Sequence, residues 1–134
     1  MSNEPTGYRY PSEFPREAFV QEAIERHFKP TEFQREKHES ADLACYSNKL
    51  KQHWIIEAKG ETSSIGLDFR TGLGQLLHNM SNSDVLYGLA VPETPPFLQQ
   101  CRSIGKWVRQ ALNLHWLIVQ PDGSVRIVNP SEEL

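Results

Sequence analysis

Apolar residues recur along this chain with two different periods, and the switches between them divide it into elements. Phe19, Val20, Ala23, Ile24 and Phe28 keep the three- and four-residue spacing of one helical face and predict a first helix over residues 15–28. Pro15 is tolerated in a first helical turn, and Pro30 blocks extension beyond the end. Residues 33–38 read as a weaker strand. Two runs rich in strand-forming residues, 41–46 and 53–58, flank the polar break Ser47-Asn48-Lys49-Leu50-Lys51 and predict a β-hairpin. A second helix is expected over 67–80, with Leu73, Leu76, Leu77 and Met80 turned inward. Residues 85–91 form a continuous apolar run, the pattern of a strand covered on both faces. Thr94 can cap a third helix and Pro95 can start it, and its stripe Phe97, Cys101, Ile104, Val108 and Ala111 follows the helical period. Residues 114–120 and 125–129 close a last hairpin around Pro121-Asp122-Gly123-Ser124. The order is α-β-β-β-α-β followed by a helix and a hairpin, an α/β domain over residues 12–134. Residues 1–11 carry Pro5, Gly7 and Pro11 without any period and read as a flexible N-terminal arm.

Composition narrows the class. A chain of 134 residues with 38% apolar content is long enough for one hydrophobic core. No apolar run approaches the roughly 20 residues of a membrane span, so no membrane partner is expected. Met1-Ser2-Asn3-Glu4-Pro5 lacks a basic region followed by an apolar one, so the expected location is cytoplasmic. Cys45 and Cys101 are too few for a disulfide scaffold and read as buried free thiols. The five histidines show no zinc-ligand spacing, so no zinc is expected, and His53 reads as structural. A net charge of −3 weighs mildly against a nucleic-acid binder. Its distribution matters more, because no acid occurs between Glu93 and Asp122, where Arg102, Lys106 and Arg109 stand at helical spacing. Those three are either the wet face of an amphipathic helix or a surface for a phosphate backbone.

The chemistry concentrates in the first hairpin. Residues two apart on a strand share a face, so Glu57 and Lys59 point the same way. Fourteen residues separate Asp42 from Glu57, and a hairpin closing symmetrically about Lys49 and Leu50 sets the two acids directly across from each other. Two carboxylates beside a lysine suit Mg²⁺ (or Mn²⁺), which takes one or two carboxylates with waters and phosphate oxygens. Such an ion both neutralises phosphate charge and generates a hydroxide-like nucleophile. Lys59 would orient the attacking water or stabilise charge on the phosphate. The bland alternative is a solvated sheet edge with a surface salt bridge of little energetic weight.

Asp42, a gap, then Glu57-Ala58-Lys59 resembles the active-site signature of the PD-(D/E)XK nucleases, the restriction-endonuclease-like enzymes. Ala41 stands where the motif's name has proline, as in many members. The resemblance covers roughly residues 12–92 and implies a three-layer core with a mixed central sheet. It further implies metal-dependent hydrolysis of phosphodiester bonds, most often in DNA. Residue by residue, it implies Asp42, Glu57 and the Ala58 backbone carbonyl as metal ligands and Lys59 as catalytic. It adds Glu17 on the first helix and Gln75 on the helix after the Glu-x-Lys strand.

The remaining features have two readings each. Glu17 also complements the dipole of its helix, where Glu22 competes for the same metal role. Gln75 lies about 200° around the helix from Leu73, so it is either solvated or turned to a cleft. Gly72 and Gly74 either permit close backbone approach or mark a late helix start, and Arg70 is a phosphate contact or a solvated side chain. Trp54, Trp107 and Trp116 fit a core better than a base-stacking platform. One metal site per chain against two strands of a duplex suggests a homodimer or docking on a larger protein, with Tyr8 and Tyr10 of the arm, or the last hairpin, at the interface. A non-catalytic binding module, contacting nucleic acid or a protein, is the competing function.

Overall fold

The structure, a computed structural model, describes residues 13–134. The expected arm, with Tyr8 and Tyr10, lies outside them. Among the described residues there are six strands and four helices: α1 Glu17–His27, β1 Gln34–Arg35, β2 Leu43–Ser47, β3 Gln52–Ala58, α2 Ile65–His78, β4 Leu86–Pro92, α3 Pro95–Arg102, α4 Lys106–Leu112, β5 Leu114–Val119 and β6 Val125–Val128. The strands form one mixed sheet in chain order. β3, β4 and β5 run parallel, and β1–β2, β2–β3 and β5–β6 pair antiparallel.

Helices cover both faces. Val20, Ala23 and Ile24 of α1, with Phe28 just beyond it, pack on Leu43, Cys45, Trp54, Ile56 and Ala58. On the other face Phe69 and Leu76 of α2 and Phe97 and Cys101 of α3 pack on Ala44, Ile55, Tyr87, Leu89 and Trp116. The alternation along β3 follows from the pleat: Trp54, Ile56 and Ala58 face α1, which leaves Glu57 and Lys59 on the α2 side. β4 and β5 are buried along nearly their whole length, which accounts for their unbroken apolar runs. Cys45 and Cys101 are buried free thiols, and burial pushes them up to about 11 and about 12. No helix among the described residues is long and apolar enough to cross a membrane.

Three expectations are corrected. The strand expected over 33–38 shrinks to the two residues of β1, both exposed, because it sits at the sheet edge with only β2 beside it. The third helix is two helices. It stops at Ser103, whose Oγ donates to the Gln100 carbonyl at 2.6 Å, and restarts after Gly105, whose ψ of 149° is extended. The restart shifts the helical phase, so Ala111 is exposed and Arg109 is buried. Trp107 lies about 200° around the helix from Arg109. It is therefore 75% exposed rather than a core residue, whereas Trp54 and Trp116 are buried.

Candidate active site

The site is built where the β2–β3 hairpin opens. Ser47 pairs with Gln52 and Leu43 with Ile56, so the hairpin is symmetric about Lys49 and Leu50. One further step brings Asp42 to Glu57. Asp42 stands just before β2, and its Oδ2 accepts a 2.7 Å hydrogen bond from the Ala58 amide. Its backbone carbonyl accepts another, at 2.9 Å, from Gln21 Nε2 on α1. The loop carrying Asp42 is thus tied both to β3 and to the helix on the far face.

Glu57 is 3% exposed, and its Oε1 has no hydrogen-bond partner among the described residues. Burial above all, then the Asp42 charge and the hydrogen bond shared with it, push its carboxyl up to about 8, with Glu17 adding and Lys59 opposing. The Glu57 carboxyl therefore holds its proton near neutral pH. A buried, unpaired carboxylate oxygen costs stability. A bound cation would remove that cost by taking the place of the proton.

Lys59 continues the same face of the chain just past β3. Its stem lies against α2 in a slot made by Gly72: a Cβ there would overlap Lys59 Cγ and come within 3.1 Å of Leu89 Cδ1. Glycine in the middle of a helix destabilises by about 1 kcal/mol relative to alanine, and close approach is the physical reason for it here. The ammonium reaches Glu17 Oε1 at 3.4 Å, in the first turn of α1. That meeting depends on Gly60, where a Cβ would overlap the Glu17 amide nitrogen and the Arg16 carbonyl carbon. Two further bonds stitch the segments together, from Glu61 N to Pro15 O at 2.8 Å and from Arg16 Nη1 to Glu61 O at 3.1 Å. Gly60 and Gln21 were not singled out from sequence. Gly60, directly after the Glu-x-Lys triplet, carried the one available signal, a glycine where two backbones touch.

Asp42, Glu57 and Lys59, with Glu17 at their edge, are therefore brought together. Ala58 enters through its amide, and its side chain belongs to the α1-side core. Gln75 and Arg70 lie on the outer flank of α2, neither hydrogen-bonded nor ion-paired to the acids or to Lys59. The basic stripe is not assembled. Arg109 is 3% exposed and donates to the carbonyls of Asn129 and Glu132 at 3.1 and 2.8 Å, so its donors face inward. Lys106 pairs with Glu133 at 3.2 Å, and Arg102 is on the other side of the helix break.

Among the described residues, no three acidic, histidine or cysteine side chains converge into a ready-made metal cage. The donors at hand are two carboxylates and strand backbone. That set fits Mg²⁺, which keeps several waters and needs few protein ligands. The orphaned Glu57 Oε1 is the atom in this structure that such an ion would satisfy. No family model matches the chain, and no curated protein or solved structure matches it.

Proposed function

We propose that this protein is a Mg²⁺-dependent nuclease on a restriction-endonuclease-like core, hydrolysing phosphodiester bonds in DNA. The observation that carries the reading is Glu57: buried, with one oxygen unpaired, against Asp42 and on the face of Lys59. A carboxylate placed for stability alone would pair with the adjacent cation. Lys59 instead reaches out to the half-exposed Glu17. In this reading Asp42, Glu57 and the Ala58 carbonyl hold the ion, which supplies Lewis-acid charge and a water of lowered pKa. Lys59, held by Gly72, positions that water or the phosphate. Glu17 holds the Lys59 ammonium in place until substrate arrives. A duplex cut on both strands needs two such sites or two visits, so the reading includes a two-fold dimer on DNA, testable by light scattering with and without duplex.

The competing reading is a non-catalytic binding module, favoured by the net charge of −3 and by two rather than three ligating side chains converging among the described residues. Incubation with supercoiled, linear, branched and single-stranded substrates plus Mn²⁺ separates the two. Cleavage by the parent chain that is lost in Lys59→Ala supports the nuclease. Equal behaviour of parent, Lys59→Ala and Asp42→Asn under identical conditions hands the site to the module.

A further inference from the structure

Trp107, in the first turn of α4, is 75% exposed, more than Leu50, Leu67 or Leu77, the other large apolar side chains open to solvent among the described residues. Its indole leans back over Gly105, where a Cβ would stand 3.4 Å from Trp107 Cδ1. At the other end of the same helix a cavity of about 480 Å³ opens between residues 110–113 and the loop that follows α2. Its apolar floor is Met80, Leu112 and the ring of Tyr87, and no charged side chain among the described residues lines it. The cavity is braced from within. Tyr87 Oη accepts the amides of Ser81 and Asn82 at 3.1 and 3.2 Å and donates to the Asn82 carbonyl at 2.9 Å. Asn113 Nδ2 donates to the Val85 carbonyl at 2.7 Å. With these groups paired inside the chain, what the cavity has left to offer is an apolar surface, which suits a flat hydrophobic side chain.

Knob and hole belong to one short face. Trp107 and Ala111 are one helical turn apart and both exposed, and Ala111, at the cavity's rim, is too small to close the entrance. From Trp107 to Leu112 is about 7.5 Å along the axis. The indole leans towards the N-terminal end of the helix, and the cavity opens at the C-terminal end. A second α4 laid antiparallel across the first therefore brings each knob to the other's hole about a two-fold axis, the arrangement in which residue i meets j and j meets i. Charge permits the contact. Arg109 is turned inward and Lys106 is held by Glu133 at 3.2 Å, which leaves Gln110 and Ala111 to meet across the axis without like charges. Tryptophan seated in a pocket is prominent among the side chains that carry binding energy in protein interfaces.

We propose that two copies of this chain associate through α4, with Trp107 of each entering the other's cavity. Met80, Leu112 and Tyr87 receive the indole, and the side-chain amides of Asn82 and Gln110 at the rim offer acceptors for its N–H. None of these residues belongs to the cluster of Asp42, Glu57 and Lys59. The inference supplies an interface for the two-fold dimer of the nuclease reading and rests on that reading for the dimer's use, whereas association itself needs neither metal nor DNA.

The test is sedimentation equilibrium without metal or DNA, for the parent chain, Trp107→Ala, Ala111→Arg and the control Leu67→Ala, with thermal midpoints to show that each variant folds. Leu67 is an exposed leucine on another helix, so it reports on general stickiness. The parent and Leu67→Ala are expected to dimerise at micromolar concentration with equal affinity. Trp107→Ala removes both knobs, and Ala111→Arg plugs the rim of both holes with a charge. Each should weaken dimerisation at least about 100-fold, because a substitution on a two-fold interface counts twice. An equimolar mixture of these two variants regains one knob in one hole, so it should form a heterodimer tighter than either variant's homodimer and weaker than the parent's. A parent that stays monomeric up to millimolar concentration would overturn the interface, as would a Trp107→Ala dimer as tight as the parent's, an equal loss in Leu67→Ala, or a mixture no tighter than its components. Mn²⁺-dependent cleavage that Lys59→Ala abolishes would still leave the nuclease reading standing in that case. A parent that dimerises as expected and never cuts DNA supports the interface and overturns the nuclease reading alone.

Discussion

Replacing Glu57 by glutamine isolates the central claim, because it keeps the shape of the side chain and removes only its charge. In the folded protein the carboxyl is pushed up to about 8, against 4.5 when exposed. Between those values the folded state holds a proton that the unfolded chain has released, so raising the pH favours unfolding. Stability should therefore fall from pH 4.5 to 8, by at most about 1.4 kcal/mol per unit, and level off above. The upper bound at pH 8 is about 5 kcal/mol. Relaxation around the carboxyl and entry of water reduce this to an expected 2–3 kcal/mol, roughly. Glu57→Gln carries no such burden, and its amide can donate to Asp42. In urea unfolding with EDTA at pH 5, 6, 7 and 8, the variant should be nearly equal to the parent at pH 5 and clearly more stable at pH 8. Taking the difference between the two proteins cancels the groups that titrate independently of Glu57. Adding Mg²⁺ at pH 8 should then restore the parent, by about 2.7 kcal/mol at one hundred times the dissociation constant, and leave the variant unmoved. A stability difference that stays constant from pH 5 to 8 would refute the buried, proton-holding carboxyl. Equal Mg²⁺ stabilisation of both proteins would refute Glu57 as a ligand.

Other substitutions address the supporting parts. Lys59→Ala should abolish cleavage in Mn²⁺ while leaving Mg²⁺-induced stabilisation intact, whereas Asp42→Asn should lose both; thermal shift and plasmid nicking assays on the same preparations distinguish them. Gly72→Ala should reduce cleavage at least about tenfold by pushing Lys59 out of its slot. Its stability should change by less than about 2 kcal/mol, since the flexible stem can yield and alanine favours the helix. Arg109→Ala strands the carbonyls of Asn129 and Glu132 and removes a guanidinium 5.9 Å from the Trp116 ring centroid. It should destabilise by about 2–4 kcal/mol in urea without changing the salt slope of DNA binding.

Much of the architecture is legible in local pattern. Helix α1 shows itself because Val20, Ala23, Ile24 and Phe28 must all reach the same buried face. β4 shows itself because helices cover one face and the other alike. The placement of Asp42 beside Glu57 follows from arithmetic, since a symmetric turn leaves only one register and Asp42 stands one step past its last pair, Leu43 with Ile56. The break inside the helix expected over 95–111 escapes local pattern for an equally physical reason. The apolar spacing stays helical through residue 111, and Ser103 and Gly105 carry too weak a local bias to show that the chain turns there.

What the sequence by itself determined is the order of elements, the two-face burial of the central strands and the face shared by Glu57 and Lys59. Each of these depends on a residue's relation to near neighbours, through a fixed periodicity. What only the tertiary structure decided depends on contacts between distant segments. Gly60 against the start of α1 brings Glu17 to Lys59, and Gly72 on α2 makes room for the lysine stem. Restarting the helix at Lys106 buries Arg109 and leaves Trp107 in solvent. Whether a glycine is a packing slot, as at 72, or has open space beside it among the described residues, as at 74, depends on which atoms stand opposite it. No spacing along the chain encodes that, because the atoms opposite belong to another segment.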